Sequence, residues 1–425
     1  MLGLTSFLAS IQAVSQILLI ILSGVYFARK GVLSPDVKSA ISQLIVYLFL
    51  PCLLVTSVAE TITLSNVSEF WPLPVSALIY VLIAWILSNI ISRLRFWIDN
   101  RMRIVIKSGG SQHMPTNESI HQASDPSIMK YHDLTDTGPI TISIESSNPQ
   151  ETLSDEDPTD TYICAMTAAC TFRNIISIPL PLVVSILYQH NDKFQTSYYQ
   201  TFDSVIAHGT SLVLVYAAFS DIIAWAFGSF YIGYYTKAVD SNSTRCKLIR
   251  LLLSPPVLAV VIGLLIGLIS PIRSLFYPRD ALLYNIITRV IEILGTATNP
   301  CLLILFGASV YSSLTDTSQN ELSKFPGITN IIIVCVLTLI LIPGLLVSIV
   351  FCGSIINILP QDPVLILVLL IEACTPATMD LPMICSSVGN KMIHDISVVL
   401  MFYQYLFAIF TLTAWLTIFI VVLLT

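Results

Sequence analysis

Long apolar segments separated by short polar ones dominate the pattern of this chain. They fall at about 7–28, 39–58, 70–92, 162–187, 205–231, 252–270, 283–310, 329–351, 363–388 and 396–424. A helix needs about 20 apolar residues, at about 1.5 Å per residue, to cross the hydrocarbon core of a bilayer. The pattern therefore predicts an all-α membrane protein with ten transmembrane helices.

Two of these segments carry prolines and polar residues inside the apolar pattern. The ninth contains LIEACTPATMDLPMIC at 370–385, with Pro376 and Pro382, and the fourth contains FRNIISIPLPLV at 172–183, with Pro179. Proline has no backbone N–H and clashes with the preceding turn, so we expect both helices to be broken. Broken helices in a membrane are typical of transport sites. The alternative is a kinked and fully packed helix whose polar residues cap the broken ends.

An internal repeat relates the two halves of the chain. The second apolar segment contains PCLLVTSVAE from Pro51, and the seventh contains PCLLILFGAS from Pro300, 249 residues later. The two interrupted segments hold equivalent places, fourth and ninth. Because each half has five segments, an odd number, the second half should be inverted in the membrane relative to the first. We therefore predict two inverted five-helix repeats in which the broken helices 4 and 9 cross.

The polar connections complete the predicted organisation and its orientation. With the N-terminus outside, 15 of the 20 Lys and Arg residues lie on the cytosolic side, which predicts that both termini are non-cytosolic. The predicted parts are helices 1–3 (1–93), a disordered acidic cytosolic loop (94–161), helices 4–5 (162–235), a cytosolic linker (236–251) and helices 6–10 (252–425).

Composition narrows the classes of function. The chain is 55% hydrophobic and 11% charged, so most of it belongs in lipid and little is left for a soluble catalytic domain. The sequence has no P-loop, HExxH or GxSxG motif, and its nine cysteines lack the spacing of a metal site. We therefore predict no enzymatic activity, no metal, no cofactor and no nucleic-acid partner.

The broken helices supply the candidate chemistry. Unpaired N–H groups and a partial positive charge lie at the start of each outgoing half-helix, and these bind anions such as carboxylates. The predicted substrate-binding residues are Arg173, Asn174, Ser177, Thr375 and Asp380, beside the crossover prolines Pro179, Pro376 and Pro382. The predicted residues for proton or charge coupling are Glu372, Asp380 and Asp221.

The role of the buried charges has alternatives. Because a charged side chain in the bilayer interior is costly alone, Arg173 should find a partner. It either binds a substrate carboxylate or forms an ion pair with Asp380 or Glu372. In the structural alternative Asp380 also caps the half-helix that begins near Pro382.

Four segments resemble motifs of the auxin efflux carrier superfamily, within it the PIN-LIKES branch and its yeast relatives. They are LPCLLVTSVAETIT (50–63), LSPPVLAVVIGLLIGLISPIRSLF (253–276), LGTATNPCLLILFGASVY (294–311) and SVVLMFYQYLFAIFTLTAW (397–415). The resemblance implies ten helices with an architecture similar to sodium/proton antiporters and bile acid transporters. Helices 1, 2, 6 and 7 would form a scaffold, and helices 3–5 and 8–10 a moving transport domain.

The same resemblance implies elevator-type transport of auxin-like, indole-3-acetate-type carboxylates across the endoplasmic reticulum membrane, with the plasma membrane as the alternative. The crossover asparagine of the family falls on Asn174, and its crossover prolines fall on Pro179 and Pro376. The chain departs from the family at Arg173, where a glycine is usual, and at Asp380, where a neutral residue is usual.

Together these observations predict a secondary transporter of small organic anions. Two alternatives stay open: a membrane receptor or regulator that keeps the fold without transporting, and a sodium-coupled organic anion symporter. The expected partners are a small-molecule carboxylate and membrane lipid, and a homodimer is compatible with the pattern.

Overall fold

The computed structural model describes residues 2–64, 67–109, 158–190, 194, 201–235, 254–277, 279–315 and 326–424. Helix is their regular structure. The helices are α1 (Leu2–Arg29), α2 (Pro35–Thr61), α3 (Pro72–Gly109), α4 (Pro158–Thr171), α5 (Pro179–Gln189), α6 (Asp203–Tyr235), α7 (Pro255–Leu268), α8 (Ser270–Phe276), α9 (Tyr284–Thr315), α10 (Ile328–Ile355), α11 (Pro363–Glu372), α12 (Leu381–Val388) and α13 (Lys391–Leu424).

Six helices of the described chain are long and apolar enough to cross a membrane, namely α2, α3, α6, α9, α10 and α13. The bent pair α7 and α8 adds a seventh if it is one span. The apolar helices α5 and α11, and the stretch Ser15–Arg29 of α1, are shorter. Each of the ten predicted apolar segments overlaps one or two of these helices, and the crossing of all ten stays a prediction.

The burial pattern separates outer helices from an inner core. On α3, Leu78, Leu82, Ile86 and Ile90 are exposed apolar side chains spaced four residues apart, which places them on one face of the helix. On α11, every residue from Val364 to Glu372 is buried. A long helix with an exposed apolar stripe faces lipid, whereas the short α11 is enclosed by protein.

Prolines mark the places where helices stop and restart. Between α4 and α5 the helix is interrupted over 172–178, and Pro179 is the first residue of α5. Between α11 and α12 it is interrupted over 373–380, and Pro382 lies in the first turn of α12. Proline fits the first helical turn because the N–H it lacks would be unpaired there. A further break bends α7 against α8 by 101° at Ile269, two residues before Pro271.

Two pairs of helices pack with their backbones close together. Helix α1 packs on α9, and α7 packs on α2. A Cβ atom at Gly307 of α9 would clash with the carbonyl oxygen of Ile21, and one at Gly267 of α7 with that of Ile62. Small residues at such positions let helices approach closely in a membrane.

The chain divides into one compact unit of Met1–Arg93 and Asp157–Thr425 and a second of Leu94–Glu156. The boundary between these units falls at residue 93, where the sequence places it, although α3 continues beyond this residue to Gly109. The stretch after 93 has neither Gly nor Pro before Gly109, and an Arg95–Asp99 ion pair of 3.2 Å supports the next turn. Most of the predicted disordered loop (110–157) and the predicted linker (236–251) lie outside the described residues.

Candidate functional site

The two interrupted segments meet and pair through their backbones. Arg173 and Ala377 form an antiparallel bridge. The N–H of Asn174 donates to the carbonyl of Pro376 at 2.7 Å, and the N–H of Thr378 donates to the carbonyl of Phe172 at 2.9 Å. Backbone groups freed from both helices therefore satisfy one another in the buried interior, as unwound backbone in a membrane requires.

Arg173 is 6% exposed, and its guanidinium lies beside this pairing. Its Nη1 donates to the carbonyl oxygens of Thr375 at 2.8 Å and of Thr338 at 3.3 Å, and its Nη2 donates to Thr338 at 3.4 Å. Neither Asp380 nor Glu372, both within the described chain, lies at ion-pair distance from it. Carbonyl oxygens thus take the place of the ion pair that was one of the alternatives for Arg173, and Nε has no partner among the described residues.

A widened turn of α10 explains why the Thr338 carbonyl is free to accept. Over Leu337–Leu341 the helix is of the π type, and the N–H of Ile342 donates to Leu337. Pro343 has no N–H, so it cannot donate to Thr338 or Leu339, five and four residues before it. These carbonyls instead accept from Arg173 and, at 3.0 Å, from Nε1 of Trp415.

Asn174 connects the first break to α13. Its amide Nδ2 donates to the hydroxyl of Tyr405 at 2.6 Å, and its Oδ1 accepts from the N–H of Ile178 at 3.2 Å. The Tyr405 hydroxyl in turn donates to the carbonyl of Ala377 at 2.9 Å, in the second break. One buried tyrosine therefore connects the two interrupted segments.

Gln404, which precedes this tyrosine, makes a second connection. Its Nε2 donates to the carbonyl of Ala169 near the end of α4 at 3.0 Å, and its Oε1 accepts from the N–H of Ala377 at 2.9 Å. Gln404 is completely buried. Gln404 thus supplies a hydrogen-bond partner to one backbone group near each break, as helix ends in a buried position require.

Three buried carboxylates lie near the breaks with oxygens that lack a hydrogen-bond partner in the described chain. Both oxygens of Glu372, both of Asp221 and Oδ1 of Asp380 are in this state. The other Asp380 oxygen accepts from the Thr378 hydroxyl at 3.2 Å. Asp221, on α6, lies within electrostatic range of Asp380, and Glu372 within that of Arg173.

The side chains of Asp380 and Ser177 make hydrogen bonds that the sequence pattern did not indicate. Asp380 occupies the N-cap position of α12 but its side chain makes no capping hydrogen bond there, because it is turned to Thr378 instead. Ser177 is turned to α9, where its hydroxyl donates to Oδ1 of Asn299 at 3.1 Å. Its side chain therefore contacts α9, whereas the hydrogen bonds of Arg173 and Asn174 run to α10, α13 and the second break.

Sequence reasoning missed Thr338, Asn299, Gln404 and Tyr405. A proline signal was available for Thr338, since Pro343 follows it by five residues. For Gln404 and Tyr405 the available signal was two polar groups in the middle of the tenth apolar segment. Such groups face the protein interior in membrane helices.

The arrangement can bind charge of either sign. The starts of α5 and α12 carry the positive end of a helix dipole, and Arg173 adds a full positive charge. The unpartnered carboxylates are stable in the interior only when they carry a proton or bind a cation. Paired interruptions inside a group of membrane-length helices therefore define an integral, multi-pass membrane protein of the transporter class.

The chain belongs to the family described as Membrane transport protein, whose profile matches residues 9–110 and 156–416. The family indicated by the sequence motifs is thereby confirmed. The chain is 22% identical to PIN-LIKES 7 of Arabidopsis thaliana over 96% of both proteins. It is 30% identical to PIN-LIKES 5 of the same plant over 44% of each chain. It is 23% identical to a Schizosaccharomyces pombe protein named as an uncharacterized transporter, over 89% of this chain and 88% of that one.

Proposed function

We propose that the protein is a secondary transporter of small organic anions, auxin-like carboxylates among them, which works by alternating access. The observation that carries this proposal is the antiparallel backbone pairing of two interrupted helices in the buried interior, through Asn174, Pro376, Phe172 and Thr378. This pairing holds two half-helix starts and a guanidinium in one small region, where an anionic group gains from all three.

The substrate carboxylate would bind at this pairing, through Arg173, Asn174, Ser177, Thr375 and Asp380. Arg173 keeps an unpartnered Nε among the described residues, and the Asn174 amide already connects both breaks. A bound carboxylate that takes a hydrogen bond from either group would change how the breaks hold each other. Binding would in this way be linked to movement of the elements that carry the breaks.

Asp221, Asp380 and Glu372 would couple transport to a second ion. All three are buried, and each has at least one oxygen without a partner in the described chain. Protonation of one of them removes the cost of an unpaired buried charge, so a proton is the coupling ion that we propose.

The full architecture in this proposal is two inverted five-helix repeats. In the predicted order, helix 1 is α1, helix 2 is α2, helix 6 is α7 and helix 7 is α9. The packing of α1 on α9 and of α7 on α2 supports the proposal, because a repeat that relates helix 1 to 6 and helix 2 to 7 interchanges these two contacts. An antiparallel pairing of the breaks is likewise what two inverted repeats would produce.

In the elevator-type movement that we propose, α1, α2, α7 and α9 form the scaffold. Helices α3 to α6 and α10 to α13 form the transport domain, which carries both breaks. The hydrogen bonds of Arg173 and Asn174 support this division, because their partners lie on α10, on α13 and in the breaks. The group would then move as one body.

We further propose an endoplasmic reticulum location, with the plasma membrane as the alternative, and termini that face away from the cytosol. The position of 15 of the 20 Lys and Arg residues supports this orientation. The proposed partners are the carboxylate substrate and the surrounding lipid, with a homodimer as the proposed assembly.

The test is uptake of radiolabelled indole-3-acetate by purified protein in liposomes. We expect Asn174→Ala to lower the uptake rate by about tenfold, which corresponds to about 1.4 kcal/mol. Asp380→Asn should retain uptake but abolish its response to an imposed pH gradient, because the amide cannot release a proton. Asn330→Ala and Asp280→Asn are the matched controls. The side-chain oxygen of Asn330 has no partner in the described chain, and Asp280 lies in an exposed turn.

The alternatives give different results in the same assay. A receptor or regulator binds indole-3-acetate without uptake. A sodium symporter loses uptake when sodium is replaced by choline and does not respond to the pH gradient. If Asn174→Ala takes up indole-3-acetate at the same rate as the controls, and Asp380→Asn still responds to the pH gradient, the site assignment is wrong.

A further inference from the structure

A cavity of about 820 Å³ lies between α2 and α9 on one side and α12 and α13 on the other. This volume is within the usual range of about 300–1,000 Å³ for small-molecule sites. Arg173 and Asn174 are not part of its lining in the described chain, but Met379 and Pro382, beside the second break, are. The cavity therefore reaches the second break.

The lining changes from apolar to polar along three helices in the same direction. On α9, Leu302 and Phe306 line the inner part, whereas Ser309 and Ser312 lie nearer the end of the helix. On α12, Pro382 and Met383 are followed by Ser386 and Ser387. On α2, Val46 lies further inside than Ser39 and Ser42. One end of the cavity thus matches an apolar body, and the other matches a polar group.

Two lysines lie at the polar end. Lys38 is in the first turn of α2, and its Nζ donates to the Ser312 hydroxyl at 2.6 Å. Lys391 begins α13. Among the described residues of the lining the acid is Asp395, which pairs with His394 at 2.9 Å, accepts from the Ser313 hydroxyl at 3.2 Å and lies within electrostatic range of Lys391. Both lysines also lie at helix starts, where the dipole has the same sign as their charge.

We propose that this cavity binds an amphipathic organic monoanion before it reaches the breaks, with the anionic group at Lys38 and Lys391 and the apolar body against Leu302, Phe306 and Met383. This inference rests on the proposed transport function and names a separate site of that pathway. The two lysines create a positive field at the mouth of the cavity. Such a field raises the local concentration of anions and so selects for negative charge.

The first test compares two probes of similar size in the reconstituted protein, the anion indole-3-acetate and the neutral indole-3-acetamide. We expect Lys38→Gln and Lys391→Gln each to raise KM for indole-3-acetate by about threefold without changing the maximal rate. Inhibition by indole-3-acetamide should not change. Lys30→Gln is the matched control, because Lys30 lies just before α2 with its ammonium over the Tyr26 ring and does not line the cavity.

The second test does not depend on transport. In a Ser42→Cys variant, mass spectrometry gives the rates at which a negatively and a positively charged thiosulfonate modify the new cysteine. We expect a high ratio of the negative reagent's rate to the positive reagent's rate. The double change Lys38→Gln and Lys391→Gln should lower this ratio by about threefold or more.

The two proposals fail in distinguishable ways. If the wild type does not take up indole-3-acetate, the proposed function fails, whereas the labelling ratio still reports on the cavity. If uptake occurs but KM and the labelling ratio are the same in the lysine variants and in Lys30→Gln, the cavity is not an anion site.

Discussion

The guanidinium of Arg173 is stabilised by backbone oxygens on two different elements. Burial of a cation without partners is costly, and in Arg173 the cost is offset by three hydrogen bonds to the carbonyls of Thr375 and Thr338. One carbonyl is freed by the break after α11 and the other by Pro343. The arginine thus holds a broken helix against an intact one, without using a carboxylate.

Tyr405 is the residue whose loss should affect the paired breaks most specifically. In Tyr405→Phe the buried Asn174 amide and Ala377 carbonyl each lose a partner, so we expect a destabilisation of about 1–3 kcal/mol, seen as a lower melting temperature of the purified protein. Uptake should fall as well. Tyr403→Phe, on the same helix but with a hydroxyl that makes no hydrogen bond within the described chain, is the control. Equal melting temperatures for the two variants would contradict this role.

At this scale the sequence predicted which residues are buried and polar, but not all of their partners. Arg173, Asn174, Thr375 and Asp380 come together near the breaks, as the prolines around them indicate. The ion pair that was one alternative for Arg173 is not formed within the described chain, because carbonyls freed by the second break and by Pro343 accept its hydrogen bonds instead. Which of these partners the guanidinium takes depends on tertiary packing. The partners Gln404 and Tyr405 come from a helix more than 200 residues after Arg173, a distance that periodicity cannot bridge.

At the scale of elements, short helices joined by unwound backbone occupy the interior, and long helices surround them. Pro179 and Pro382 each lie in the first turn of a half-helix, and both interruptions were expected from these prolines. The bend between α7 and α8 was not expected, although Pro271 signals it. The extension of α3 to Gly109 was missed because the end of an apolar run does not require the end of a helix.

Close packing of α1 on α9 gives a prediction for elements. Gly307→Ala places a methyl group against the Ile21 carbonyl, which cannot move without its helix, so we expect a loss of about 1–3 kcal/mol and a lower melting temperature. Gly344→Ala is the control. Its added methyl would meet only the Trp415 ring at 3.7 Å, an ordinary contact, and should leave the melting temperature unchanged or slightly higher. A Gly307→Ala protein as stable as Gly344→Ala would show that this contact is loose.

At the scale of the whole molecule, the repeat at an offset of 249 residues and the helix contacts both support the proposed inverted repeats. The repeat was visible in the sequence because PCLL recurs at equivalent places in the two halves. The contacts that support it, α1 with α9 and α7 with α2, could not be predicted from periodicity, which gives helices but not their neighbours. The identities of the substrate and of the coupling ion depend on a few side chains at the breaks, so both are proposals for this chain.

Counterflow tests the central claim, that the paired breaks belong to a carrier. Purified protein is reconstituted in liposomes loaded with unlabelled indole-3-acetate, and uptake of labelled indole-3-acetate is followed against liposomes without internal substrate. We expect internal substrate to accelerate labelled uptake several-fold in the wild type and far less in Asn174→Ala, because a carrier returns faster when loaded. Labelled ligand that binds at about one molecule per protein, with no acceleration and no accumulation inside, would contradict the account.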